Sequence, residues 1–204
     1  MNFHDGHTHS SPSPMHPVLR ADGARATAFH RVSGSAAADV AHTLLLLAKR
    51  PELRLCLALP EAAVRAPNEQ RSLRRALTMR PRAADRLILA LPEMAVAEGF
   101  PSAAGPDRPG SAVLLQGMLP ANPATWRRIR PDFAILPAST PSDVMTVDGA
   151  FLFGLLRQIA DRFDVGIMVD GVRTQAQRER LCELGADYLC GPAIAAPGPP
   201  VLAL

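Results

Sequence analysis

Short apolar runs alternate with stretches of helical periodicity along most of this chain. Residues 53–59, 86–91, 112–115, 133–136, 165–169 and 188–190 are brief, largely apolar and set between polar or turn-forming segments. Such runs predict strands buried on both faces. Between them, apolar positions recur every three to four residues. Val40, Leu44 and Leu47 share one face of a helix over 36–50, with Ser35 placed to cap it. Leu73 and Leu77 lie one turn apart in a helix over 70–79. Asn122-Pro123 marks another helix start, with Pro at the first helical position. Phe151, Leu155, Ile159 and Phe163 recur every four residues beside Leu152 and Leu156. They predict an amphipathic helix over 148–163 whose apolar stripe is core. Thr174 and Gln177 have capping-box spacing, and Gly185 closes the helix that follows.

Strand and helix in repeated alternation define an α/β fold with parallel crossovers, and a TIM-type (β/α) barrel is the architecture that suits this order. At 204 residues the chain is short for such a barrel, so some helices must be trimmed or missing. Three prolines and three glycines within 99–110 make that stretch a loop. Residues 1–14 are rich in His, Ser and Pro and read as a disordered tail; 15–204 read as one barrel domain.

Composition narrows the class. Hydrophobic residues make up 48%, which opposes a disordered chain. No apolar run is long enough to cross a bilayer, and the first residues lack the features of a secretion signal. Cys56, Cys182 and Cys190 show no CxxC spacing and read as reduced thiols. A cytoplasmic protein without a membrane partner is expected. The net charge is +3, and Lys49 is the sole lysine; an Arg-, Ala- and Pro-rich chain of this kind suits a GC-rich bacterial genome. Arg71, Arg74, Arg75, Arg80, Arg82 and Arg86 form the densest basic stretch. No aromatic residues are interleaved with them, so they read as a solvated surface and not as a specific nucleic-acid platform.

Three segments offer candidate chemistry. His4-Asp5-Gly6-His7-Thr8-His9-Ser10 resembles the opening of the polymerase and histidinol phosphatase family of metal-dependent phosphoesterases. That family needs further histidines late in the chain, whereas all six here lie at or before His42. The cluster therefore reads as a polar tail, and whether it holds metal stays open. A Cys/His pair of Cys190 and His30 is conceivable at a barrel mouth, but no G-x-S-x-G elbow supports a hydrolase. The third segment is the most specific. Gly166-Ile-Met-Val-Asp170-Gly171-Val172 precedes a capped helix and then Leu184-Gly185-Ala-Asp187-Tyr188-Leu-Cys190-Gly191-Pro. It resembles the end of an EAL domain, the phosphodiesterase module that hydrolyses cyclic di-GMP.

The resemblance can be followed from about Met15 to Pro197, and it implies a degenerate, shortened EAL-like barrel. His16-Pro17-Val18 and His30-Arg31-Val32 are similar to the family's opening, so its signature Glu falls on His30. The metal-binding Asn falls on Ala58. The two Glu of the next strand fall on Ala90 and Glu93, so the first is lost and the second kept. The paired Asp fall on Leu114 and Leu115. The catalytic Lys and the Asp after it fall on Ile135 and Pro137. In the closing strands, Asp170 and Arg173 take the place of two Glu, and Cys190 that of a nucleotide-facing Gln.

These substitutions imply loss of the chemistry. Divalent ions such as Mg²⁺ require hard oxygen ligands, which Ala, Leu, Ile and Pro lack. The resemblance thus implies a pseudo-phosphodiesterase without a cofactor, acting as a regulatory module through an unidentified protein partner. Cyclic di-GMP binding is expected to be weak or absent, and a homodimer is left open. The alternatives are a receptor that binds cyclic di-GMP without hydrolysing it and, with less support, a residual phosphodiesterase.

Overall fold

The computed structural model describes residues 15–22, 27–33, 37–93, 111–117 and 123–195. The tail over 1–14, the Ser35 cap, the loop over 99–110 and Asn122 lie outside the described residues. Eight strands close into a barrel in sequence order. They are β1 (His16–Arg20), β2 (Thr27–Ser33), β3 (Leu55–Ala58), β4 (Leu87–Pro92), β5 (Ala112–Gln116), β6 (Phe133–Leu136), β7 (Gly166–Val169) and β8 (Tyr188–Cys190). From β2 to β8 every neighbouring pair is parallel, and Val169 stands opposite Leu189.

The first strand departs from the parallel expectation, because β1 runs antiparallel to both β2 and β8. The connection explains it. Six residues separate β1 from β2, whereas a parallel crossover takes a dozen or more. Neither strand shows as an apolar run, since His16, Pro17, Thr27, His30, Arg31 and Ser33 interrupt the pattern.

Helices cover the outside of the wall. The described ones are α1 (Ala37–Lys49), α2 (Glu61–Arg65), α3 (Pro67–Met79), α4 (Pro81–Ala84), α5 (Pro123–Ile129), α6 (Thr140–Asp143), α7 (Val147–Phe163) and α8 (Gln175–Glu183). Val40, Leu44 and Leu47 of α1 are buried as expected, as are Leu73 and Leu77 of α3. Thr174 and Gln177 form both halves of the capping box on α8, a cap that contributes about 1 kcal/mol. Arg86 is not a purely solvated arginine. Its guanidinium donates to the carbonyls of Leu47, Arg50 and Leu53, and so satisfies the C-terminal end of α1.

The helix α7 corrects the sequence reading most clearly. Its buried residues are Ala150, Phe153, Leu156 and Ala160. Phe151, Leu152 and Leu155 are exposed instead of forming the core stripe. A step of four residues turns the helix by about 400°, so a strict four-residue repeat drifts around the cylinder. The face against the barrel combines Phe153 and Leu156 with two alanines, and alanines carry little weight in an apolar pattern.

Two apolar clusters follow from the alternation along each strand. The outer cluster joins the helices to Leu55, Leu57, Leu89, Val113, Leu115, Leu136, Ile167 and Leu189. The inner cluster fills the barrel. At its N-terminal end Phe29, Phe133 and Tyr188 pack as an aromatic triangle, with ring centroids 5.4–6.1 Å apart.

Candidate functional site at the barrel mouth

The C-terminal ends of the parallel strands β2–β8 define the mouth, where barrels of this type carry their chemistry. Alternation aims Cys56 and Ala58 of β3, Ile88 and Ala90 of β4, Leu114 of β5, Ile135 of β6, Met168 of β7 and Cys190 of β8 into the interior. Arg31 of β2 is opposite Cys56 in register and alternates with the inward Phe29, so it too points inside. There its guanidinium forms an ion pair with Asp170 at the end of β7. The pair spans the interior and is about three-quarters buried on both sides.

Asp170 is well supplied with donors. Besides Arg31, its carboxylate accepts the Gly171 N–H at 2.8 Å and the Cys190 thiol. Burial, followed by the Asp170 charge, pushes the Cys190 thiol up to about 12. Burial alone accounts for most of the rise of Cys56, also to about 12. Both thiols therefore stay protonated and unreactive at neutral pH.

The structure divides the predicted site residues into those it gathers and those it separates. Ala58, Ala90, Leu114, Ile135, Asp170 and Cys190 face the interior or its rim. Pro137 and Arg173 are exposed at the same end, where the Arg173 backbone N–H donates to Gln177 at 2.9 Å. His30 and Leu115 do not join them. His30 alternates with Arg31 and shares the outer face with Val32. A one-residue shift in a strand exchanges its faces, so the inward position next to the signature match belongs to Arg31. Among the described residues the His30 Nδ1 is buried without a partner, and burial holds its pKa below the ordinary value. His30 and Cys190 thus lie on opposite sides of the wall and form no catalytic pair. Arg31 is the site residue that the sequence reading overlooked; strand alternation from Phe29 is the signal that finds it.

Glu93 also leaves the mouth. It packs against Gly117, where an added Cβ would stand 2.7 Å from Glu93 Oε2. The cavity beside it holds only about 10 Å³ and is lined by outer-layer residues such as Leu115, Trp126 and Leu156. Burial raises the Glu93 carboxyl above its ordinary range. A folded-state pKa above the unfolded value means that stability falls as pH rises through the carboxylate range. Glu93→Gln is therefore expected to raise stability at pH 7. That advantage should vanish below the unfolded carboxylate pKa, as urea unfolding at the two pH values would measure.

Among the described residues no three His, Cys, Asp or Glu side chains gather as a metal-binding group. Among the described residues the donor set at the mouth does not suit a divalent cation, because the inward ring is aliphatic and the Asp170 carboxylate is neutralised by Arg31. A separate cavity of about 410 Å³ lies at the opposite, N-terminal end, beside Phe133, Gly166 and Tyr188. Its charges are already matched. Arg20 pairs with Asp22 at 2.8 Å, while Asp187 pairs with Arg157 and accepts the Ile167 N–H.

Fold and site together define an eight-stranded α/β barrel with an antiparallel first strand and, among the described residues, an apolar mouth crossed by one ion pair. A family profile of the EAL domain matches residues 2–197, so this chain belongs to the EAL domain family. Solved structures share the fold at low identity. The FimX EAL domain of Xanthomonas citri in complex with c-di-GMP superposes with a TM-score of 0.74 at 16% identity, covering 92% of this chain and 87% of that one. The FimX EAL domain of Pseudomonas aeruginosa bound to c-di-GMP gives 0.74 at 14%, with 91% and 90% covered. The PaMucR phosphodiesterase in its c-di-GMP complex gives 0.70 at 14%, with 92% and 91% covered. No curated protein matches the chain in sequence.

Proposed function

We propose that this chain is a non-catalytic EAL module of cyclic di-GMP signalling that acts through protein contacts. One observation carries the reading. The mouth is ringed by Ala58, Ala90, Leu114 and Ile135, and the carboxylate that faces it, Asp170, is committed to Arg31. Phosphodiester hydrolysis by two metal ions needs oxygen ligands that clamp both ions and generate hydroxide. At most of the positions where the family resemblance puts those ligands, this chain offers apolar side chains; Glu93 turns outward, His30 lies on the outer face and Asp170 pairs with Arg31. Ile135 falls where a lysine would assist the attacking water, and Pro137 where an aspartate would follow.

The test is turnover of cyclic di-GMP by the full chain with Mg²⁺ or Mn²⁺. No linear dinucleotide above the blank is expected. Turnover that disappears in Asp170→Ala would establish a residual phosphodiesterase and overturn the proposal. A second reading, a receptor that binds without hydrolysing, draws on Arg31, whose guanidinium is the one cation aimed into the described mouth. Against it stands the cost of burying two phosphates on an aliphatic ring. Calorimetry separates the two. No saturable binding tighter than ~100 μM is expected, an affinity of roughly 5 kcal/mol. A low-micromolar isotherm specific for cyclic di-GMP over GTP would make the chain a receptor.

A further inference from the structure

The helix α3 carries its arginines differently from α2, α7 and α8. In those helices an arginine pairs with a carboxylate of its own helix: Arg65 with Glu61, Arg157 with Asp161 and Arg180 with Glu183. In α3, Arg71, Arg74 and Arg75 stand three and four residues apart, with no carboxylate at those spacings. All three are exposed, on the face opposite the buried Leu73, Ala76 and Leu77. Arg71 donates to the Asn68 side chain. Arg74, Arg75, Arg80 and Arg82 form no ion pair among the described residues.

This arrangement does not serve the helix. Like charges at these spacings repel and weaken it. No arginine of α3 stands in its last turn, where a cation would complement the helix dipole. The positive charge continues past the end of α3 through the half-buried Arg80 and the exposed Arg82, and Met79 before them is 63% exposed. Residues 67–86 hold six arginines against two carboxylates, Glu69 and Asp85, a surplus of four where the whole chain has a net charge of +3. Nothing in the described fold offsets the repulsion on this face, and an anionic partner would.

The kind of anion follows from what the face holds. No aromatic residue lies between these arginines to stack a base, and Met79 is the one large exposed apolar group of α3 and α4 that a bilayer could receive. Charge pairs bound the face on two sides, Arg65 with Glu61 and Arg50 with Glu52, so it is a short island and not a continuing phosphate track. From Arg71 to Met79 it runs about 12 Å, a little over two helical turns. Guanidinium forks take carboxylates two oxygens at a time, and the positive charge here is all arginine.

We infer that the outer face of α3 and α4 is a docking surface for an acidic protein segment, with its carboxylates on Arg71, Arg74 and Arg75 and an apolar residue over Met79. This rests on the reading of the chain as a module that acts through protein contacts, and it gives that contact a place and a chemistry. The face lies on the helical jacket, so a partner seated there leaves the barrel mouth open.

The probe is a fluorescein-labelled helical peptide of about 16 residues, built from Ala and Leu with Glu at i, i+3 and i+4 along one face. Anisotropy on titration with the full chain at roughly 0.1 M salt should show saturable binding in the ~100 μM range or tighter. The same peptide with Gln for Glu should bind at least about tenfold more weakly, and so should the Glu peptide to Arg71→Glu with Arg75→Glu. Arg127→Glu with Arg162→Glu removes the same charge from exposed positions elsewhere and should change binding less than about twofold. Arg71→Gln with Arg75→Gln should lose binding yet unfold at no lower urea concentration than the parent, because it relieves like-charge contacts. Binding indifferent to the α3 substitutions, or lost equally with the control pair, overturns the inference. So does tighter binding, through the same arginines, of a DNA duplex of about 20 base pairs or of phosphatidylserine vesicles. No peptide binding in a chain that also turns over no cyclic di-GMP would overturn the docking surface alone. Turnover with peptide binding intact would overturn the non-catalytic reading alone.

Discussion

Replacing Gly191 by alanine is expected to cost about 3 kcal/mol or more, by far more than the usual glycine-to-alanine change. Gly191 follows β8 with φ +143°, a conformation that side-chain-bearing residues rarely adopt. An added Cβ would stand 2.4 Å from both the backbone N and O of Val172. Neither atom can move freely. The Val172 N–H donates to the Cys190 carbonyl at 3.0 Å, and the Val172 carbonyl accepts the Ala193 N–H at 3.0 Å. These two bonds seal the segment after β7 to the end of β8. Gly185 supplies the comparison. It has φ +86°, but an added Cβ would only touch the Arg157 side chain at 3.6 Å. Gly185→Ala should therefore show the backbone penalty alone, on the order of 1 kcal/mol. Urea unfolding of both variants measures the difference. Equal losses would mean that the Gly191 segment moves aside without breaking its bonds.

Asp170→Ala is expected to destabilise the fold by about 2–3 kcal/mol. Removing one member of a largely buried ion pair leaves the other charge without compensation. Here the stranded group is the Arg31 guanidinium inside an apolar barrel, with Cys56 opposite it in register. Partial solvent access at the rim keeps the loss below that of a fully enclosed pair. Replacing both members, Arg31→Met with Asp170→Leu, should recover most of the stability, because the interior then becomes continuously apolar. A double-mutant cycle in denaturant measures the coupling. A double variant no more stable than Asp170→Ala would show that the pair is not the unit that matters.

The central and late elements of the fold were legible because their chemistry is local. Residues 133–136 and 188–190 are short apolar runs and form β6 and β8 within those bounds. The Thr174 cap is a pattern of two side chains one helical turn apart, and both of its bonds are present. The opening hairpin was not legible as strands. Its inward positions include an arginine, whose burial makes sense only once Asp170, 139 residues later, is in place. That same long-range dependence hid Arg31 and put His30 in its place. The positions at the ends of β3 to β6 depend on local pattern alone. There the inward ring of Ala58, Ala90, Leu114 and Ile135 follows from simple alternation. The outward turn of Glu93 was hidden, since it depends on the absence of a side chain at Gly117. The exposed face of α7 is expected in the core from sequence, because its large apolar residues repeat every four positions while two of the residues that face the barrel are alanines.

The placement of the aromatic residues gives the protein two built-in optical probes. The chain has one tryptophan and one tyrosine. Trp126 sits in the outer layer, edge-on to Phe163 with centroids 6.1 Å apart. Tyr188 sits inside the barrel, against Phe29 and Phe133. Fluorescence excited at wavelengths that only indole absorbs therefore reports the helical jacket. The fine structure of phenolic near-ultraviolet dichroism reports the interior. Superimposable melts from the two signals would mark a single cooperative unit, and separated melts would show the jacket and the interior loosening in turn. No label needs to be added to watch either layer.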